Sequence, residues 1–240
     1  MNAVLAAHET KQTTVRPAAI AAGAAILLMA VVAGAVMGLV FEKMLVADDP
    51  AATWHNLRNA TTTFRFGILG WTVILVCDVV AAWGLHVVYR RKNQALSLLT
   101  AWFRLIYSAL LGGAIACLLL VLGLVERPET FVGLLDSAPA ADLALWLLNG
   151  FYRIWSLGLL VFGLHLLGLG VLVSERHWLH KTLSVLLLIA GVGYLLTNAA
   201  NLLLADYATY KAVAEGIFMG PMILGETGLA VWLLLKGGRA

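Results

Sequence analysis

Six long apolar runs dominate the chain, and short polar segments separate them. They cover roughly residues 18–41, 66–89, 96–124, 143–173, 179–205 and 212–236. A bilayer core about 30 Å thick takes about 20 apolar residues when crossed as a helix, and every run is long enough. Leu, Ala and Gly fill the runs without the period-two alternation of membrane strands. The pattern therefore predicts an all-α fold, a polytopic membrane bundle of six transmembrane helices. Residues 1–17 read as a polar tail and 18–237 as one six-helix transmembrane domain. The first run exceeds the roughly 7–15 residues of a signal-peptide core, so it reads as a retained span.

Composition narrows the class further. Hydrophobic residues make up 62% of the chain, charged residues 12%, and mean hydropathy is +0.92. Soluble domains carry about 25% charged residues, which excludes a soluble enzyme, a disordered chain and a nucleic-acid-binding module. The net charge of +3 belongs to topology instead. Lys11, Arg16, Arg90, Arg91, Lys92, Arg176, Lys181, Lys236 and Arg239 fall on one side of the spans. Lys43, Arg58, Arg65, Arg127 and Lys211 fall on the other. Basic residues favour the cytoplasmic side, so both termini are expected there, with 43–64 and 125–142 as outer loops. Either loop has room for a short interfacial helix. Trp71, Trp102, Trp146, Trp178 and Trp232 lie near span ends, as interfacial anchors do.

The informative residues are the polar ones inside the runs. A charge at mid-membrane costs about 2.5–3.5 kcal/mol on insertion scales, yet Asp78, Arg104, Arg153 and Glu226 are all there. Helical spacing groups them with other polar side chains: Arg104 with Tyr107 and Ser108, Asn149 with Arg153 and Ser156, and Tyr194 with Thr197, Asn198 and Asn201. Glu215, Met219, Met222 and Glu226 share a side of the last span. Lipid solvates none of these stripes, so spans 2–6 are expected to enclose a polar interior, with span 1 outside or used for assembly. Within that interior Asn149, Arg153, Tyr194, Asn198 and Asn201 form a candidate ligand site. Asp78, Arg104 and Glu226 form a buried charge layer beneath it. Arg153 suits a carboxylate or phosphate, which accepts two parallel hydrogen bonds. The competing reading is that the amides only hold helices together.

Other motifs carry less. Cys77 and Cys117 read as packed thiols. His177 and His180 with Glu175 lack a further metal ligand, and His86 and His165 read as core histidines satisfied by neighbours. No metal, cofactor or catalytic residue is assigned, and an enzymatic role is not favoured. Pro221 in the last span reads as a bend. Gly34 with Gly38, and Gly216 with Gly220, permit close helix contact and so a homodimer.

Three fragments carry a family resemblance. Arg65-Phe66-Gly67-Ile68-Leu69-Gly70 precedes the Asp78 span, and Ala190-Gly191-Val192-Gly193-Tyr194 lies in span 5. Glu226 is followed by Trp232-Leu233-Leu234-Leu235-Lys236-Gly237. In order and spacing they resemble the bacterial membrane family catalogued as domain of unknown function 4386, over roughly residues 15–237. Where that family tends to have Pro-Arg and then Gly, this chain has His180-Lys181 and Ser184. The resemblance implies a six-helix protein of the bacterial inner membrane and implies no activity. The leading functional expectation is binding or transport of a small molecule or lipid headgroup. The alternatives are a structural or accessory membrane subunit and, less favoured, an intramembrane enzyme acting on lipid.

Overall fold

A backbone in hydrocarbon must satisfy its own hydrogen bonds, and a helix does so within one segment. The computed structural model describes residues 2–46, 49–127, 140–204 and 206–238, and among these there is no strand. Helix α1 runs Asn2–Val36, passes through a π-helical turn at Met37–Phe41 and ends in a short turn, Glu42–Met44. Then come α2 (Pro50–Asn59), α3 (Thr61–Tyr89), α4 (Gln94–Glu126), α5 (Ala140–Val173), α6 (Trp178–Leu203) and α7 (Tyr207–Leu235). Six segments are long and apolar enough to cross a membrane: Val15–Met44, Thr61–Tyr89, Gln94–Glu126, Ala140–Val173, Trp178–Leu203 and Thr209–Leu235. They match the six apolar runs to within a few residues.

The short helix expected in the 43–64 segment is α2. Pro50 occupies its first turn, where a missing N–H costs nothing, and Asp49 Oδ1 accepts from the Ala52 N–H at 2.9 Å. Most of the 125–142 loop, 128–139, lies outside the described residues.

The chain divides into two compact units. The first comprises Met1–Met29, Val76–Ser108 and Ser156–Ala240. Its helices meet where small residues let backbones approach. Ala18, Ala19 and Ala22 on α1 are fully buried. A Cβ on Gly84 of α3 would lie 2.6 Å from the Ala18 carbonyl oxygen, and one on Gly23 of α1 would lie 2.7 Å from that of Ala230 on α7. Gly163 on α5 and Gly191 on α6 face each other's backbone in the same way. Next to that contact Ser184 donates to the Gly170 carbonyl at 2.7 Å, so the serine that departs from the family pattern ties α6 to α5. Arg16 donates to the carbonyls of Leu233, Leu234 and Gly237 at 2.9, 2.5 and 2.7 Å. A guanidinium there meets the negative end of the α7 dipole. The first span was expected outside the bundle or used for assembly; one face of its N-terminal part, with Ala18, Ala19 and Ala22, packs closely against α3 and α7, while Ile20 and Leu28 are exposed.

The second unit comprises Ala30–Leu75 and Ala109–Trp155. Its core is aromatic. Phe41 stacks on Phe151 at 5.8 Å between ring centroids, and Trp71 lies 5.2 Å from Phe151 and 5.0 Å from Trp155. Arg65 and Glu126 form an exposed ion pair at 2.7 Å. At the α2–α3 junction Asn59 Nδ2 is 2.8 Å from His55 Nε2.

Candidate functional site

The first unit holds a buried ionic cluster. Asp78 sits on α3 beside Ala81 and Ala82, both buried and small enough to admit a neighbouring helix. Arg104 sits on α4, one helical turn after Thr100. Both charged residues are about 2% exposed or less, and Arg104 Nη2 meets Asp78 Oδ1 at 2.7 Å. A charge in this setting must be paired. The other guanidinium nitrogen, Nη1, lies 3.1 Å from His165 Nε2 on α5.

That contact sets the state of the imidazole. His165 Nδ1 is 2.9 Å from the Thr100 carbonyl oxygen, and a carbonyl only accepts. Nδ1 therefore carries the proton, and the Nε2 lone pair accepts from Arg104. The cluster runs carboxylate, guanidinium, neutral imidazole, carbonyl, across α3, α4 and α5. Phe162, one turn before His165, places its ring centroid 5.2 Å from Arg104 Cζ, a cation–π distance. Met29 Sδ of α1 lies 3.8 Å from Nη2. Gly168 lets α5 come this close: a Cβ there would fall 2.5 Å from Thr100 Oγ1.

Two atoms of this cluster are unsatisfied. Asp78 Oδ2 and Arg104 Nε are buried and bond to no other described residue. Buried polar atoms are usually paired, so an acceptor and a donor stand free at the same ion pair. Glu226 on α7 is partly buried and lies within electrostatic reach of Arg104 and Asp78. Its carboxylate has no hydrogen bond or ion pair with a described residue. Tyr194 on α6 meets Phe162 edge-on at 5.4 Å.

A second polar group lies in the same unit. Ser156 on α5 donates to Asn198 Oδ1 at 2.8 Å and accepts from Asn201 Nδ2 at 3.0 Å, while Asn198 Nδ2 donates to the Tyr194 carbonyl at 2.9 Å. The amides are thus used largely to tie α5 to α6. Interhelical bonds of this kind average about 0.6 kcal/mol, with a maximum near 1.7. Asn198→Ala is expected to lower stability within that range, read from the midpoint of detergent-induced unfolding.

Asn149 and Arg153 are placed otherwise. They belong to the second unit, are exposed, and neither bonds to another described residue. Sequence reasoning also missed parts of the cluster. Met29 lies in a span with no polar group. Arg104 and His165 are 61 positions apart, and nothing local links them. His86 is satisfied nearby, with Nδ1 3.0 Å from Ser97 Oγ across the α3–α4 turn.

Six helices long and apolar enough to cross a membrane define the class: a multi-pass membrane protein. More narrowly, the chain belongs to the family described as Domain of unknown function (DUF4386), whose sequence model matches residues 21–237. It is similar to an "Uncharacterized protein" of Archaeoglobus fulgidus, at 28% identity over 174 residues. That match covers 72% of this chain and 85% of the relative. No solved structure matches.

Proposed function

We propose that this membrane protein binds a small polar molecule at the Asp78–Arg104 cluster and carries it across the bilayer, with Glu226 as the mobile acid. The observation that carries the reading is the incomplete bonding of the ion pair. A purely structural pair would be favoured by full satisfaction of both partners. Here Asp78 Oδ2 and Arg104 Nε are left open, and a second carboxylate without a bonded partner lies within electrostatic reach. With His165 neutral, two acids face one guanidinium. A ligand that offers a donor to Asp78 and an acceptor to Arg104 completes the set.

Such a site must be reachable from water. Glu226→Cys, made with Cys77→Ala and Cys117→Ala, is expected to react with a charged methanethiosulfonate reagent from at least one side of sealed vesicles. Folded protein that stays unlabelled from both sides overturns the reading. An accessory role is the second reading. It is favoured by Gly216 and Gly220 on α7, where an added Cβ meets nothing within 4 Å, which leaves that face open to another helix.

A further inference from the structure

The second unit carries a charged residue that no other described residue pairs. On α5, Leu147, Leu148 and Phe151 are buried, and Gly150 packs toward Cys117, whose Sγ would be 3.5 Å from an added Cβ. Trp146, Asn149 and Arg153 follow the helical repeat on another face, and all three are exposed. Arg153 has no hydrogen bond or ion pair with a described residue. A permanently charged group on a spanning helix needs an anion within reach. The described residues supply none, and what surrounds an exposed face of a spanning helix is lipid.

Depth identifies which part of the lipid. Helix α5 has 34 residues, about 51 Å at 1.5 Å per residue, against a hydrocarbon core of about 30 Å. For a helix centred on the bilayer, each end overhangs by about 10 Å. Arg153 is thirteen residues from Ala140 and so lies about 10 Å inside the hydrocarbon edge. Trp146, seven residues nearer Ala140, lies at that edge, where indoles collect. The long arginine stem can bury its methylenes and carry its head towards the same level.

We infer that Trp146, Asn149 and Arg153 form a lipid-facing site for the headgroup of an anionic phospholipid. The guanidinium donates two parallel hydrogen bonds to the phosphodiester oxygens. The Asn149 amide adds a neutral donor one turn nearer the surface, and the Trp146 ring packs along the glycerol region. The occupant is a lipid rather than a free anion, because the face opens sideways beside the exposed Trp146 ring. The site contains no residue of the Asp78–Arg104 cluster and does not depend on it.

The test uses the purified, delipidated full chain, titrated with phosphatidylglycerol or phosphatidylcholine and read by native mass spectrometry. The wild-type chain is expected to take up one phosphatidylglycerol at about tenfold lower lipid concentration than phosphatidylcholine, the size of one charge-assisted contact. Arg153→Gln is expected to erase that preference. Arg153→Lys, which keeps the charge without the planar fork, should retain part of it. Because Arg153 is exposed, both variants should unfold in detergent at the wild-type midpoint. A wild-type chain without headgroup preference, or a folded Arg153→Gln chain with the wild-type preference, overturns the site. If Arg153→Gln does not fold, a wild-type preference in Arg153→Lys at full strength overturns the bidentate contact.

Discussion

Asp78→Ala is expected to destabilise the protein by about 3–5 kcal/mol, because it leaves the Arg104 guanidinium buried without its counter-ion. Arg104 is 2% exposed and cannot escape to water. Its other polar contact, His165 Nε2 at 3.1 Å, is neutral and offers no compensating charge. Arg104→Met should cost less. A carboxylate left alone can take up a proton, whereas a guanidinium in a protein cannot lose one. The double variant Asp78→Leu with Arg104→Met should recover much of the loss, since buried pairs replaced by packed apolar side chains are often neutral in stability. With Asp78→Leu as the matching single variant, detergent-induced unfolding of the wild type, Asp78→Leu, Arg104→Met and the double variant forms a double-mutant cycle. Additive effects would mean that the two residues do not act as a pair.

The next largest effect is expected at Gly84. Its missing Cβ leaves room for the α1 backbone: an added methyl would sit 2.6 Å from the Ala18 carbonyl oxygen and 2.9 Å from the Ala22 Cβ. Neither is the end of a flexible side chain, so α1 and α3 must separate. Gly84→Ala should cost about 1–3 kcal/mol, the usual range for overpacking. Gly23→Ala should cost a similar amount, because its Cβ would meet the Ala230 carbonyl oxygen at 2.7 Å. Gly123→Ala is the matched control, with nothing within 4 Å of the added atom. It should be neutral or stabilising by up to about 1 kcal/mol, since alanine is the better helix former. Equal unfolding midpoints for Gly84→Ala and Gly123→Ala would contradict the close α1–α3 contact.

These two cases divide differently between sequence and structure. Asp78 and Arg104 stand out in the sequence because each interrupts an apolar run, and the cost of a lone membrane charge demands a partner. Which partner is a tertiary matter. Four charges allow several pairings, and Arg104 also takes a histidine 61 positions away. Gly84 carries no such signal. Glycine recurs throughout the spans, and only some of these residues touch another backbone: Gly23, Gly84, Gly163 and Gly191 do, while Gly34, Gly38 and Gly216 face open space. Span 1 shows the same limit. Its lack of polar residues suits an outer position, and Ile20, Leu28 and Val31 are indeed exposed, but only the packing shows that its alanines admit α3 and α7, a matter of size that hydropathy does not measure.

The sequence by itself determined the number of spans and their approximate ends. These follow from the apolar length needed to cross hydrocarbon. The tertiary structure alone decided that Arg104 joins Asp78 to His165, that Ser156 uses the amides of Asn198 and Asn201, and that Arg153 is left exposed. Helical periodicity places a side chain on one face of its own helix, but only the packing of helices against each other determines what that face meets.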